Sequence, residues 1–81
     1  MVKKWIIDWF AENSAINTEE IKLKTSESYF ENQWLDSYAF INFVSDIEKE
    51  FSISFSNDEF QDRKFSTIDG LTEIIEEKIN G

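Results

Sequence analysis

Apolar residues recur at helical spacing in three stretches of the chain. Val2, Trp5, Ile6, Trp9 and Phe10 fall at i, i+3, i+4, i+7 and i+8, which puts them on one stripe of a helix. This predicts a first helix from about Val2 to Asn13, with Asn13 and Ser14 as terminators. Phe40, Phe43, Val44, Ile47 and Phe51 repeat in the same way and predict a second helix ending near Phe51. Asp36 suits its start, because a carboxylate at that position can accept the unpaired N–H groups of a first turn. Ile68, Leu71, Ile75 and Ile79 mark a last helix that opens at Ser66-Thr67-Ile68-Asp69. Ser66 followed three positions later by an acid resembles a capping box. Gly70 weakens this helix by about 1 kcal/mol relative to alanine, and it is a candidate point of close packing.

The intervening segments carry anchors rather than stripes. Residues 14–35 form a long connection with scattered apolar side chains: Ile16, Ile21, Leu23, Tyr29, Phe30, Trp34 and Leu35. A short helical turn around Thr18–Ile21, capped by Thr18, fits within it. Asn57-Asp58-Glu59 suits the first turn of a brief helix capped by Ser56 or Asn57, with Phe55 and Phe60 as anchors. Phe51-Ser52-Ile53-Ser54-Phe55 alternates, but so short a run cannot build a sheet alone and reads as an extended connection. The expected fold is all-α: a small four-helix bundle with three main helices, one short helix and a long first loop, in a single domain over residues 1–81.

Composition narrows the chemistry. Eight Phe and three Trp are available to fill one compact core. With no Cys and no His, the chain has no Cys/His nucleophile pair, no Ser-His-Asp triad and no His- or Cys-ligated zinc site. Nor has it a thiol of its own. The formal charge is -9, with 17 acidic against 8 basic residues. That argues against nucleic acid as a partner and favours basic protein surfaces. It also opposes self-association, so the expected state is a monomer. The opening Met1-Val2-Lys3-Lys4 flank is weakly basic, but the apolar run after it stops at Asp8, short of a signal-peptide core. No stretch approaches the roughly 20 apolar residues of a membrane span. The expected location is cytoplasmic. Asp58, Glu59 and Asp62 do not have the spacing of an EF-hand loop and read as capping and solubility residues. Trp5, Trp9 and Phe10 read as core rather than as the lining of a pocket.

The segment Trp34-Leu35-Asp36-Ser37-Tyr38 sits where the long connection meets the second helix. It places a serine hydroxyl in a first turn, beside a capping carboxylate. A helix start offers free N–H groups and partial positive charge, which suit a phosphodiester. Ser37 precedes the apolar stripe, so its hydroxyl is expected to face solvent. Read alone, Asp36 and Ser37 are a plain helix start, since acid-serine pairs are common at that position.

Beyond that pair, Leu35-Asp36-Ser37 is followed by an amphipathic helix closing in Ile47-Glu48-Lys49-Glu50-Phe51. Further on come Phe65-Ser66-Thr67-Ile68, Leu71 and Ile74-Ile75. Over residues 29 to 79 this resembles the acyl carrier and peptidyl carrier protein family, and is most similar to free-standing carriers, including those loaded by adenylating ligases. The resemblance implies that the protein is not an enzyme but a discrete carrier. It further implies that 4′-phosphopantetheine is attached covalently to Ser37, with Asp36 as the preceding motif residue, and that cargo is held on the arm as a thioester. The implied partners are a phosphopantetheinyl transferase, an adenylating acyl or aminoacyl ligase, and downstream acyl-transfer or modifying enzymes.

On the second helix, Tyr38, Ile41, Asn42, Ser45, Glu48 and Lys49 fall off the apolar stripe. Of these, the resemblance implies Tyr38, Ile41, Ser45 and Glu48 as partner-binding residues. Ile41 alternatively packs at the stripe's edge on the long connection. Asp36, Asp46, Glu48, Glu50, Asp58, Glu59 and Asp62 against Lys49 alone make an acidic region suited to steering basic partners. The sequence departs from the fatty-acid carrier pattern at Trp34, Tyr38, Ala39 and Asn42. The competing reading is an unmodified acidic helical protein-interaction module, in which Asp36 and Ser37 only begin a helix.

Overall fold

The computed structural model describes residues 1–81 in full. It is all-helical. The long helices are α1 (Val2–Asn13), α3 (Ser37–Phe51) and α5 (Ile68–Asn80); the short ones are α2 (Thr18–Leu23) and α4 (Asn57–Gln61). A 3-10 turn, Arg63–Ser66, leads into α5. The short turn expected inside the first connection is therefore a formed helix. Its cap is Asn17, whose side chain accepts the Glu20 N–H, and Thr18 is the first helical residue.

Each long helix buries the stripe its spacing predicted, with local exceptions. In α1, Val2, Ile6, Trp9 and Phe10 are buried, and Ile7 joins them. In α3 the stripe is deepest at Phe43 and Ile47, whereas Phe40, Val44 and Phe51 are half-buried. In α5, Ile68, Leu71 and Ile75 are fully enclosed, but Ile79 is 48% exposed, since the helix runs past the end of the core. Leu23 is 84% exposed at the end of α2 and anchors nothing. Of the remaining anchors, Ile21 and Tyr29 are fully buried and Trp34 nearly so, Ile16 and Leu35 are half-buried, and Phe30 is 42% exposed.

Rings dominate the interior. Phe10 lies 5.0 Å from Phe43, 5.4 Å from Tyr29 and 5.6 Å from Trp34, centroid to centroid. Trp9 packs against Phe43 at 4.7 Å with the rings tilted by 45°, and Trp5 meets Phe51 edge-on at 5.5 Å. A second group, Phe40, Phe55, Phe60 and Phe65, fills the space between α3 and the 3-10 turn. Each buried aromatic contributes roughly 1.5–3 kcal/mol through the area it removes from water. While α1 lies close along α5 and α2, its contact with α3 is made by these large side chains, which hold the two helices apart.

Polar ties fix the irregular segments. Tyr29 is wholly buried, and its hydroxyl donates to the Phe65 carbonyl. Burial pushes its phenol well above the ordinary range. The Tyr29 N–H donates to the Ser66 carbonyl at 3.0 Å, and the Asp69 N–H to the Thr25 carbonyl at 3.0 Å. Asp69 also accepts from the Thr25 hydroxyl and pairs with Lys3 at 2.9 Å. It is therefore not the partner of a Ser66 capping box. The α5 cap is Thr67, whose hydroxyl accepts the Gly70 N–H at 2.9 Å, while Ser66 donates to Arg63 within the 3-10 turn. Gly70 is a point of close approach: a Cβ there would lie 2.3 Å from the Lys64 carbonyl oxygen.

Ser56 and Glu59 form a full capping box at α4. Glu59 also pairs with Lys78 at 2.9 Å. Its carboxyl is held below the ordinary range, first by the Ser56 backbone N–H and then by Lys78.

Candidate functional site

The start of α3 is built from both sides. Gln33 adopts a left-handed conformation (φ 60°) that turns the chain. Trp34 then locks it: its N–H donates to the Tyr29 carbonyl at 3.0 Å, its carbonyl accepts the Ser14 hydroxyl at 2.8 Å, and its ring packs on Phe10. Leu35 is half-buried, and Asp36 follows in extended conformation.

The Asp36 carboxylate accepts the Ala39 N–H at 2.8 Å, and its carbonyl accepts the Phe40 N–H at 2.9 Å. Asp36 is thus the cap expected from its position. These bonds leave the amides of Ser37 and Tyr38 without an intramolecular acceptor. Ser37 is the first residue of α3, is exposed, and its hydroxyl has no protein partner. An exposed nucleophile beside two open N–H donors fits the covalent attachment of a phosphodiester.

The residues singled out along α3 separate onto different sides. Tyr38 and Ile41 are 67% and 65% exposed, and Ser45 is exposed too. Ile41 therefore stands clear of the long connection. With Phe40, Val44, Ser45 and Phe60 it lines a small apolar groove of about 170 Å³. Glu48 is half-buried and accepts the Phe55 N–H at 2.9 Å, which holds the link to α4. That bond commits one of its oxygens to a structural task that the helix phase gave no sign of.

Asn42 and Asp46 turn the other way, toward α1. There Trp9, Asn13, Asp36, Tyr38, Ala39, Asn42 and Asp46 line a groove of about 470 Å³. The Trp9 indole N–H donates to Asp46 Oδ2 at 2.8 Å and forms its floor. A wider groove of about 660 Å³ lies on the far side of Asp36, against Ile16, Phe30 and Trp34. Trp9 thus has a role beyond the core, which its place on an apolar stripe did not signal. Asp58 and Asp62 remain exposed; Asp62 caps the 3-10 turn by accepting the Lys64 N–H at 2.9 Å. No helix is long and apolar enough to cross a membrane.

No curated protein and no solved structure matches the chain. The sequence model of the phosphopantetheine attachment site matches residues 4–75, a span that runs from α1 to the buried stripe of α5 and includes the whole start of α3. The chain therefore belongs to the phosphopantetheine attachment-site family, whose members carry 4′-phosphopantetheine covalently on a serine.

Proposed function

We propose that Ser37 is the attachment residue, and that the protein holds an acyl or aminoacyl group as a thioester and delivers it to partner enzymes in a biosynthetic pathway. The observation that carries this is the placement of Ser37: an exposed hydroxyl at the first position of a long, capped helix, beside two unpaired amides. In the loading reaction the Ser37 oxygen forms the new phosphoester bond and gives up its proton. A phosphopantetheinyl transferase supplies the group from coenzyme A, which leaves as adenosine 3′,5′-bisphosphate. Once attached, the group supplies the thiol that the chain lacks.

The protein's own contribution is to present and to steer. Asp36 fixes the first turn, and Trp34 and Tyr29 hold the segment before it, so that Ser37 keeps one position relative to the helix. Tyr38 and Ile41 offer exposed apolar contacts next to the attachment point, with Ser45 further along the same side and the free edge of Glu48 below. The acidic side chains around them attract basic surfaces on an adenylating ligase and on downstream transfer enzymes. Tethering then raises the effective concentration of cargo at whichever active site is docked. The setting is the cytoplasm, where coenzyme A and the ligases act.

Intact mass tests this directly. The parent and Ser37→Ala are each incubated with coenzyme A, magnesium and a broad-specificity phosphopantetheinyl transferase. One added phosphopantetheine on the parent and none on the variant is the expected result. No addition to a folded parent, with the transferase active on a control carrier, would leave an unmodified interaction module as the better reading.

A further inference from the structure

We propose that the groove between α1 and α3 is an intramolecular seat for the pantetheine arm, an assignment that rests on Ser37 as its attachment point. Three observations lead there. The groove begins at the attachment point, because both chain neighbours of Ser37, Asp36 and Tyr38, line it. It then follows α3 through Ala39, Asn42 and Asp46, one face of the helix at i, i+3 and i+7. At 1.5 Å rise per residue, Asp36 to Asp46 is about 15 Å, a run comparable to an extended arm.

The lining also has the right chemistry. The arm is a chain of two amides and a hydroxyl, with a dimethyl-substituted carbon near its phosphate and a thiol at its end. Such a group needs hydrogen-bonding partners of both kinds along its length, and apolar faces between them. Along the groove the Asn42 carboxamide and the Asn13 Oδ1 have no partner in the protein, and Asp46 uses only Oδ2, toward Trp9. Asn13 on α1 and Asn42 on α3 both line the groove, and each can donate to or accept from an amide lying in it. Tyr38 at one end and Trp9 on the floor supply the apolar faces.

The groove exists because of the ring packing beneath it. Trp9, Phe10 and Phe43 hold α1 and α3 apart, and the gap is closed from below by the indole that Asp46 pins. The two other openings near Ser37 serve an arm less well. The Phe40–Phe60 groove is smaller and offers only Ser45 as a polar side chain. The groove toward Trp34 includes Asp36 but not Tyr38, and leads away from the axis of α3.

The test compares amide and indole NMR spectra of the apo protein with those of protein loaded on Ser37, with loading fixed beforehand by intact mass. The expected result is a shift of the Trp9 indole N–H, of the Asn13 and Asn42 side-chain amides, and of the backbone at Asn42 and Asp46. The double variant Asn13→Ala/Asn42→Ala removes two exposed side chains, one of which also donates to the Trp9 carbonyl at 2.8 Å, so its loaded form is compared with its own apo form. It should load to the same mass while losing most of the Trp9 indole shift. Loaded protein whose shifts stay within residues 35–40, or gather on Ile41, Val44 and Phe60, overturns the seat and leaves the attachment at Ser37 standing. If Ser37 takes no arm at all, both assignments fall together.

Discussion

Replacing Gly70 with alanine sets two effects of opposite sign against each other. Alanine is the better helix former, by about 1 kcal/mol in a helix interior. Against that, the added Cβ would sit 2.3 Å from the Lys64 carbonyl oxygen, where ordinary contact begins at 3.4 Å. Something must move by about 1 Å, and the neighbour is backbone rather than a flexible side-chain end. The 3-10 turn that would have to give is fastened by the Asp62 cap on Lys64, by Tyr29 on Phe65 and by the Ser66 carbonyl. Overpacking of this kind costs about 1–3 kcal/mol, and a fastened backbone puts it at the upper end. The net expectation is a loss of about 2 kcal/mol, which for a domain of this size lowers the melting temperature by about 8–16 °C. Thermal unfolding by far-ultraviolet circular dichroism, with urea titration as a second measure, reads both quantities. Glu76→Ala on the exposed side of the same helix is the control and should stay within about 0.5 kcal/mol of the parent. A Gly70→Ala protein as stable as the parent, or more so, would refute the close-approach argument.

Ser52 ends α3 in the left-handed region at φ 56° and ψ 47°, which costs a residue with a Cβ about 1–2 kcal/mol. Ser52→Gly removes that cost but adds about 0.4–1 kcal/mol of unfolded-state freedom, so a gain of roughly 0.5–1 kcal/mol is expected; an unchanged or lower urea midpoint would count against strain at this turn. The lowered carboxyl of Glu59 contributes stability that is present above its ordinary value near 4.5 and is lost as pH falls through the lower folded value. Glu59→Gln keeps an acceptor for the Ser56 N–H, so its urea midpoint should fall less than the parent's across that window; equal falls would mean that Glu59 has no part in acid sensitivity.

Where helix boundaries depend on nearby residues, the sequence was a good guide. The stripes of α1 and α3, the Asp36 cap and the Ser56 cap are all short-range features, and each is found in the structure. The misplacements involve adjacent candidates whose choice is made at a distance. Thr67 rather than Ser66 caps α5, because the 3-10 turn and the Tyr29 link absorb Ser66. Asp69 goes to Thr25 and Lys3 for the same reason. Exposure of Leu23 and Ile79 depends on where α2 and α5 outrun the core, which periodicity does not encode. The start of α3 was legible because motif and cap coincide in five residues. The α1–α3 groove was not, since its lining alternates between two helices and its width is set by ring size.

The Tyr29 hydroxyl bond to Phe65 spans 36 residues of chain, and this has a consequence for the order of assembly. Helical turns close within their own sequence and form early, whereas a link of this separation must first overcome the entropy of a large loop. The segment that runs from Tyr29 through Trp34 to Asp36 therefore depends for its shape on contacts that exist only once the chain has closed on itself. On the carrier reading, a modifying enzyme that recognises the finished geometry around Ser37 would act only on chains that have completed folding. Acquisition of the arm would then double as a checkpoint, separating mature protein from the newly made and the misassembled.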